Sequence, residues 1–265
     1  PPAPFITSTL QQAGISKLRV SARQIMSIAQ KLYENGYITY MRTDSINLST
    51  EALNGSRNEI EKLYGKDYLP SKPIAYKSKV KNAQEAHEAI RPAGSKFIHP
   101  DTLKSKLDAR EYKLYKLIWS RTIACQMNSA KLLTTQIHIT NNDFMFLAKG
   151  KTIKFDGYLK VYQDSSKERD DVILPKVETG TNLQFDSAMT KEHTTKPISR
   201  YTEASLVKEL ETLGIGRPST YASIISTIIN RGYVTRNRGT LIPTFTGFAV
   251  VKFLEKYFDQ LINLQ

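Results

Sequence analysis

The chain has 265 residues, 40% of them apolar, and carries 38 Lys and Arg against 25 Asp and Glu, a formal net charge of +13. This length allows one to three domains with a real core, and no run approaches the ~18 consecutive apolar residues of a membrane span. The single cysteine, Cys125, excludes an internal disulfide framework and a cysteine-rich zinc site, and fits a reducing, intracellular setting. The positive charge is spread along the chain, so it predicts a polyanionic partner met by a surface that folding assembles. Nucleic acid is favoured over an anionic membrane. The opening PPAPFITSTL has neither an initiator Met nor the plan of a signal peptide, and reads as the interior of a longer chain.

Ser21-Ala22-Arg23-Gln24 matches a capping box. Ile25, Ile28, Ala29 and Leu32 follow at helical spacing and Gly36 supplies the stop, which predicts a helix with its stripe in the core. Residues 37–42 then leave helical periodicity. Ser49 and Thr50 open a second helix, with Leu53, Ile60 and Leu63 as the buried stripe and an end near Gly65. A Pro- and Lys-rich loop, 70–81, leads to NAQEAHEAIRP (82–92), read as a helical turn or two closed by Pro92. Asp101 is expected to cap another helix, and REYKLYKLIWSRTIACQM (110–127) follows with Leu114, Leu117, Ile118 and Ile123 inside.

From Lys131 the period becomes two. LLTTQIHIT, FMFLAKG, TIKFDGYLKVYQ and TNLQFDSAM read as antiparallel strands separated by turns. Helix returns at RYTEASLVKELETLG, with Thr202 as N-cap, Leu206, Leu210 and Leu213 as the stripe, and Gly214 as the stop. GIGRPSTYASIISTIINRGYV reads as a loop, a helix and Gly232, followed by a hairpin in YVTRNRGTLIPT and a last helix starting near Thr246. Helix, helix, hairpin is the plan of a winged helix, a common nucleic-acid module. The fold class is therefore α+β and multidomain.

The stretch YITYMRTDS (37–45) carries the chemistry. If it is extended, side chains two apart share a face, so the Tyr40 phenol and the Arg42 guanidinium project together. A phenol titrates near pH ~10 and is a poor nucleophile at neutral pH unless cations stabilise its anion and neutralise the phosphate under attack. Arg serves that end better than Lys, because its planar fork can hold two phosphate oxygens. On spacing alone, a Tyr in such a segment is ordinarily a packed amphipathic residue and Thr-Asp-Ser a common turn. Both readings stay open at this point.

GYITYMRTDS (36–45) resembles the active-site signature of the type IA DNA topoisomerases in its bacterial form. Two further blocks agree in order: NAQEAHEAIRP and YTEASLVKELETLGIGRPSTYASIISTIINRGYV (201–234). The resemblance runs over nearly the whole chain. It implies part of a toroidal protein, with a mainly helical nucleophile domain over 1–126, an antiparallel β segment of the hole-bridging domain over 127–197, and part of a winged-helix-like, DNA-gripping domain over 198–265. Its activity would be relaxation of negatively supercoiled DNA, without ATP, by single-strand cleavage through a 5′-phosphotyrosine, strand passage and religation.

Carried over residue by residue, the resemblance makes Tyr40 the nucleophile, has Arg42 hold the scissile phosphate, and has His87 support the site with Asp44 as its polar companion. Arg217, Thr220 and Arg231 would line a groove for single-stranded DNA, and Tyr37 would be packing. On the bare sequence, His87 beside Glu85 and Glu88 is ordinarily a surface residue, and Arg217 and Arg231 are ordinary surface cations. The family also uses Mg²⁺ held by a Glu and an Asp-x-Asp-x-Glu cluster in a domain N-terminal to the nucleophile. No such cluster occurs here, and ERDD (168–171) has the wrong spacing. The expected partners are single-stranded and negatively supercoiled DNA and that missing acidic domain, with no membrane and no metal in this chain. The expected location is the bacterial cytoplasm, at the nucleoid. The alternatives are a non-catalytic single-strand-binding module, part of a reverse gyrase, and a tyrosine recombinase or type IB enzyme. The last would place its Tyr late in the chain, after a dispersed Arg, Lys and His set.

Overall fold

The computed structural model describes residues 1–77, 87–163 and 173–262. Among them are seven α-helices: α1 (Thr7–Leu18), α2 (Ala22–Glu34), α3 (Thr50–Tyr64), α4 (Ala109–Ala124), α5 (Glu203–Thr212), α6 (Tyr221–Asn230) and α7 (Phe245–Tyr257). Four strands form two separate antiparallel hairpins, β1 (Lys131–Asn141) with β2 (Phe144–Phe155), and β3 (Val234–Asn237) with β4 (Thr240–Pro243). The α+β class is as expected.

One core gathers α1 to α4 around Leu10, Ile25, Leu32, Ile60, Leu114 and Ile118, all fully buried. A smaller one joins Val207, Leu210, Tyr221 and Ile225. α2 begins as its sequence predicts: the Ser21 Oγ accepts the Gln24 N–H at 3.2 Å and the Gln24 side chain reaches back to the Ser21 N–H. Gly36 ends it at φ +73°, with its N–H on the Tyr33 carbonyl and the Tyr37 N–H on that of Leu32. Cys125 is buried, its Sγ donating to the Thr122 carbonyl at 3.0 Å, and burial pushes the thiol up to about 12.

Several expectations are corrected. Asp101 does not cap an α-helix; His99 is the N-cap of a 3-10 turn over Pro100–Leu103, and Asp108 caps α4, accepting from the Arg110 and Glu111 N–H groups at 2.7 and 2.8 Å. The helical turn expected in NAQEAHEAIRP falls partly on residues 82–86, outside the described residues, and 87–92 is extended, with a bridge between Ile90 and Phe5 and another between Pro92 and Ile38. α3 buries Ala52, Gly55 and Ser56 beside Ile60, while Leu63 at its end is exposed. A Cβ on Gly55 would stand 2.5 Å from the Ser95 carbonyl oxygen, so the contact demands a small face. Leu213 is exposed in the same way at the end of α5.

FMFLAKG and the start of TIKFDGYLKVYQ are one strand, β2, and residues 181–189 form no strand. The β1–β2 hairpin alternates in sequence, yet Phe144, Met145 and Phe146 at its tip are all exposed. Its root is fixed to the helical body: the Tyr68 hydroxyl donates to Asp156 at 2.7 Å, and the Tyr158 N–H bonds the Asn128 carbonyl. Gly157 is required there, at φ +49° with no room for a Cβ, which would lie 2.5 Å from the Asn128 oxygen.

Candidate active site and nucleic-acid groove

The segment after α2 is held between two strips of backbone. On one side the Thr39 N–H donates to the Arg91 carbonyl at 2.9 Å, the Arg91 N–H to Thr39 Oγ1 at 3.0 Å, and Thr39 Oγ1 to the Ala89 carbonyl at 2.8 Å. On the other, Thr7 at the start of α1 donates through Oγ1 to the Met41 and Thr43 carbonyls and accepts the Thr43 N–H at 2.8 Å. Ile38, Met41, Thr43 and Ser45 are consequently buried, while Tyr40 and Arg42 face outward together. The predicted shared face is therefore present, although only Ile38 makes a strand-like bridge. Tyr37 packs edge-on against Tyr115 with ring centroids 6.2 Å apart, the packing role expected for it.

Tyr40 is 40% exposed, flanked by two rings: Tyr33 from the end of α2, edge-on at 5.3 Å, and His87, tilted by 55° at 6.4 Å. His87 is placed by its neighbours. Glu88 accepts from the Arg91 Nε and Nη2, both at 2.9 Å, and from the Ser49 N–H at 2.7 Å, while Arg91 Nη1 donates to the Pro92 and Gly94 carbonyls. Burial opposes ionisation of Glu88, but Arg91 and the Ser49 N–H outweigh it and hold the carboxyl below the usual carboxylate range. Among the described residues Asp44 makes no hydrogen bond to His87; its charge falls instead on Tyr221. Burial pushes the Tyr221 phenol up, and Glu211 and Asp44 add to this against Arg217.

Arg42 also lines a cavity of about 470 Å³ between α2 and α6. α2 contributes Arg23, Ser27 and Gln30; α6 and the turn before it contribute Ser219, Ser223 and Asn230. Among the described residues the lining holds no carboxylate. Two contacts hold α5 against the body: Glu203 is 5% exposed, accepts the Ala22 N–H at 2.8 Å and pairs with Arg236, and the Ser8 hydroxyl donates to Glu211.

The other expected groove residues fall beside this cavity. The Arg217 N–H donates to Thr220 Oγ1 at 2.8 Å and its Nη1 to the Gly216 carbonyl, so this pair closes the turn that presents Ser219. Arg231 is exposed at the C-cap of α6, past Asn230. Sequence reasoning missed Arg23, Ser27 and Gln30. Their signal was the polar face opposite the apolar stripe of α2, which alone reads as a solvated face.

A family model described as DNA topoisomerase matches residues 1–265. The chain is 51% identical over 269 residues to the DNA topoisomerase 1 of Synechocystis sp., covering 99% of this chain and 30% of that protein. It is 50% identical over 275 residues to that of Mycolicibacterium smegmatis, covering 99% of this chain and 29% of the relative. Among solved structures, full-length topoisomerase I from Thermotoga maritima matches with a TM-score of 0.82 at 39% identity, over 100% of this chain and 44% of that one. The chain thus spans about 30% of the length of the curated relatives it matches. With the family model covering all of it, the chain belongs to the DNA topoisomerase family.

Proposed function

We propose that this chain is the nucleophile-bearing part of a type IA DNA topoisomerase that relaxes negatively supercoiled DNA, without ATP, by passing a strand through a transient single-strand break. The observation that carries the reading is the exposed Tyr40 phenol on the same face as Arg42, which lines a groove that holds no carboxylate among the described residues. Tyr40 Oη attacks the phosphorus of one strand; the new O–P bond forms as the bond to the 3′-oxygen breaks, giving a 5′-phosphotyrosine and a 3′-hydroxyl. The phenolic proton leaves as the ester forms and the 3′-oxygen takes up a proton. The ester conserves the energy of the broken bond, so religation is the same step reversed.

Arg42 holds the non-bridging phosphate oxygens and offsets their charge, and phosphoryl transfer depends mostly on such positioning and charge stabilisation. His87 beside the phenol supplies an imidazole that can accept or hand on a proton at the phosphate. Among the described residues no group of three or more His, Cys, Asp or Glu could hold a metal ion. These residues therefore do not fit a magnesium site, and no step here runs through one. The magnesium expected for the family belongs, in this reading, to acidic residues of another domain.

The test is plasmid relaxation by the complete protein that contains this sequence. Tyr40→Phe should abolish relaxation and leave DNA binding intact, because it removes the nucleophilic oxygen and little packing. Relaxation by the Phe variant would refute the reading.

A further inference from the structure

α2 sends Ile25, Ala29 and Leu32 into the core and leaves Arg23, Ser27 and Gln30, at i, i+4 and i+7, on the wall of the groove that Arg42 also lines. Most guanidiniums that bind the core elements together are engaged: Arg91 by Glu88, Arg121 by the Ala3 carbonyl and the Phe5 and Tyr162 rings, Arg236 by Glu203. Arg23 and Arg42 differ. Both are exposed, and among the described residues neither has a hydrogen-bond or ion-pair partner.

Arg23 also sits in the first turn of α2, which has no acidic residue there. A cation at that end of a helix opposes the helix dipole. Its position at that end is therefore one that a nearby anion would favour.

We propose that Arg23 is a second phosphate anchor, gripping a backbone phosphate of the same DNA strand whose scissile phosphate Arg42 holds. The inference rests on the strand-cleaving function proposed above and adds a contact to it. The spacing suits a single strand. Tyr33, which packs on Tyr40, lies ten residues along α2 from Arg23, about 15 Å at 1.5 Å per residue. A stacked strand rising ~3.4 Å per nucleotide covers that in about four nucleotides, and an extended strand in fewer. The Ser and Asn hydroxyls and amides between the two arginines can bond phosphate or sugar oxygens without reading a base.

The experiment is a neutral-phosphate scan. The chain, with Arg23→Ala, Arg23→Lys and Arg42→Ala variants of matched melting temperature, is titrated with short single-stranded oligonucleotides, each carrying one methylphosphonate in place of a phosphate. Arg23→Ala should weaken binding and lower the slope of log K against log salt by about 0.7, and Arg23→Lys should recover part of the loss. One neutral position should weaken the wild type as much as Arg23→Ala does and have no further effect on that variant. That position should differ from the one coupled to Arg42.

Wild-type affinity and slope in Arg23→Ala, or a variant as sensitive as the wild type at every position, would overturn the proposal. If Arg42→Ala still weakened binding in that case, the strand-cleaving function would stand without the second anchor. If the wild type bound no single-stranded DNA, both would fall.

Discussion

The Thr39 hydroxyl and the Arg91 backbone hold each other: the Arg91 N–H donates to Thr39 Oγ1 at 3.0 Å, and the Thr39 N–H returns a bond to the Arg91 carbonyl at 2.9 Å. One residue before Tyr40 is thereby registered against the segment that carries His87. Thr39→Val keeps the shape and removes the hydroxyl, leaving the Ala89 carbonyl without its donor. The expected loss of stability is about 1 kcal/mol, read by denaturant unfolding. DNA cleavage by the complete protein should fall further, by about ten- to a hundredfold, since small misplacements of a reacting pair are costly. Equal activity at reduced stability would make the pin purely structural.

The Glu88–Arg91 pair gives a pH dependence with a defined sign. The folded carboxyl titrates below its unfolded range near ~4.3. Its contribution is therefore fully present above that range and is lost as pH falls through the folded pKa. Glu88→Gln should lower the melting temperature at neutral pH, and the gap to the wild type should close as the solution is made acidic. A gap that widened in acid would contradict this account of the pair.

Glu203 joins α2, α5 and β3 through the Ala22 N–H and Arg236. Glu203→Ala leaves both donors without their acceptor and should cost about 1–3 kcal/mol, while Glu203→Gln, which can still accept from Ala22, should cost less. Because the Ala22 bond ties α5, the helix that precedes α6, to the start of α2, Glu203→Ala should also weaken single-strand binding. Chemical denaturation and an oligonucleotide titration on the same samples check both parts.

Binding should favour single-stranded over duplex DNA. The cavity between α2 and α6 is lined by hydroxyls, amides and two cations, and Tyr33 on α2 offers an exposed ring. Stacking of a base on such a ring contributes ~1–3 kcal/mol and tolerates any sequence. Matched oligonucleotides titrated at several salt concentrations test this, and equal affinity for duplex at every salt would count against it.

How much of this was legible depended on whether a signal was local. The caps at Ser21, Ser49 and Thr202 and the stop at Gly36 are short-range hydrogen-bond and backbone patterns, and the helices begin and end with them. α1 went unread because its buried face includes the polar residues Thr7, Ser8 and Gln11: Thr7 is satisfied by the Met41 and Thr43 carbonyls and Ser8 by Glu211, while the Gln11 amide is buried with no hydrogen-bond partner among the described residues. The outward pair of Tyr40 and Arg42 followed from period two. The groove did not, since its walls come from helices far apart in sequence, and neither wall alone differs from a solvated surface. The strand expected at 181–189 failed because alternation reports a face only when something covers it, and those residues are exposed throughout.

The central claim is that Tyr40 is the atom donor to DNA. The most direct measurement is to incubate the complete protein that contains this sequence with a single-stranded suicide oligonucleotide, trap the adduct, digest it and map the modified peptide by mass spectrometry. The account predicts one adduct, on Tyr40, bearing the 5′-phosphate of the cleaved strand with a free 3′-hydroxyl on the other fragment, and no adduct in Tyr40→Phe. An adduct on another tyrosine such as Tyr33 or Tyr37, or a 3′-phosphate linkage, would contradict it.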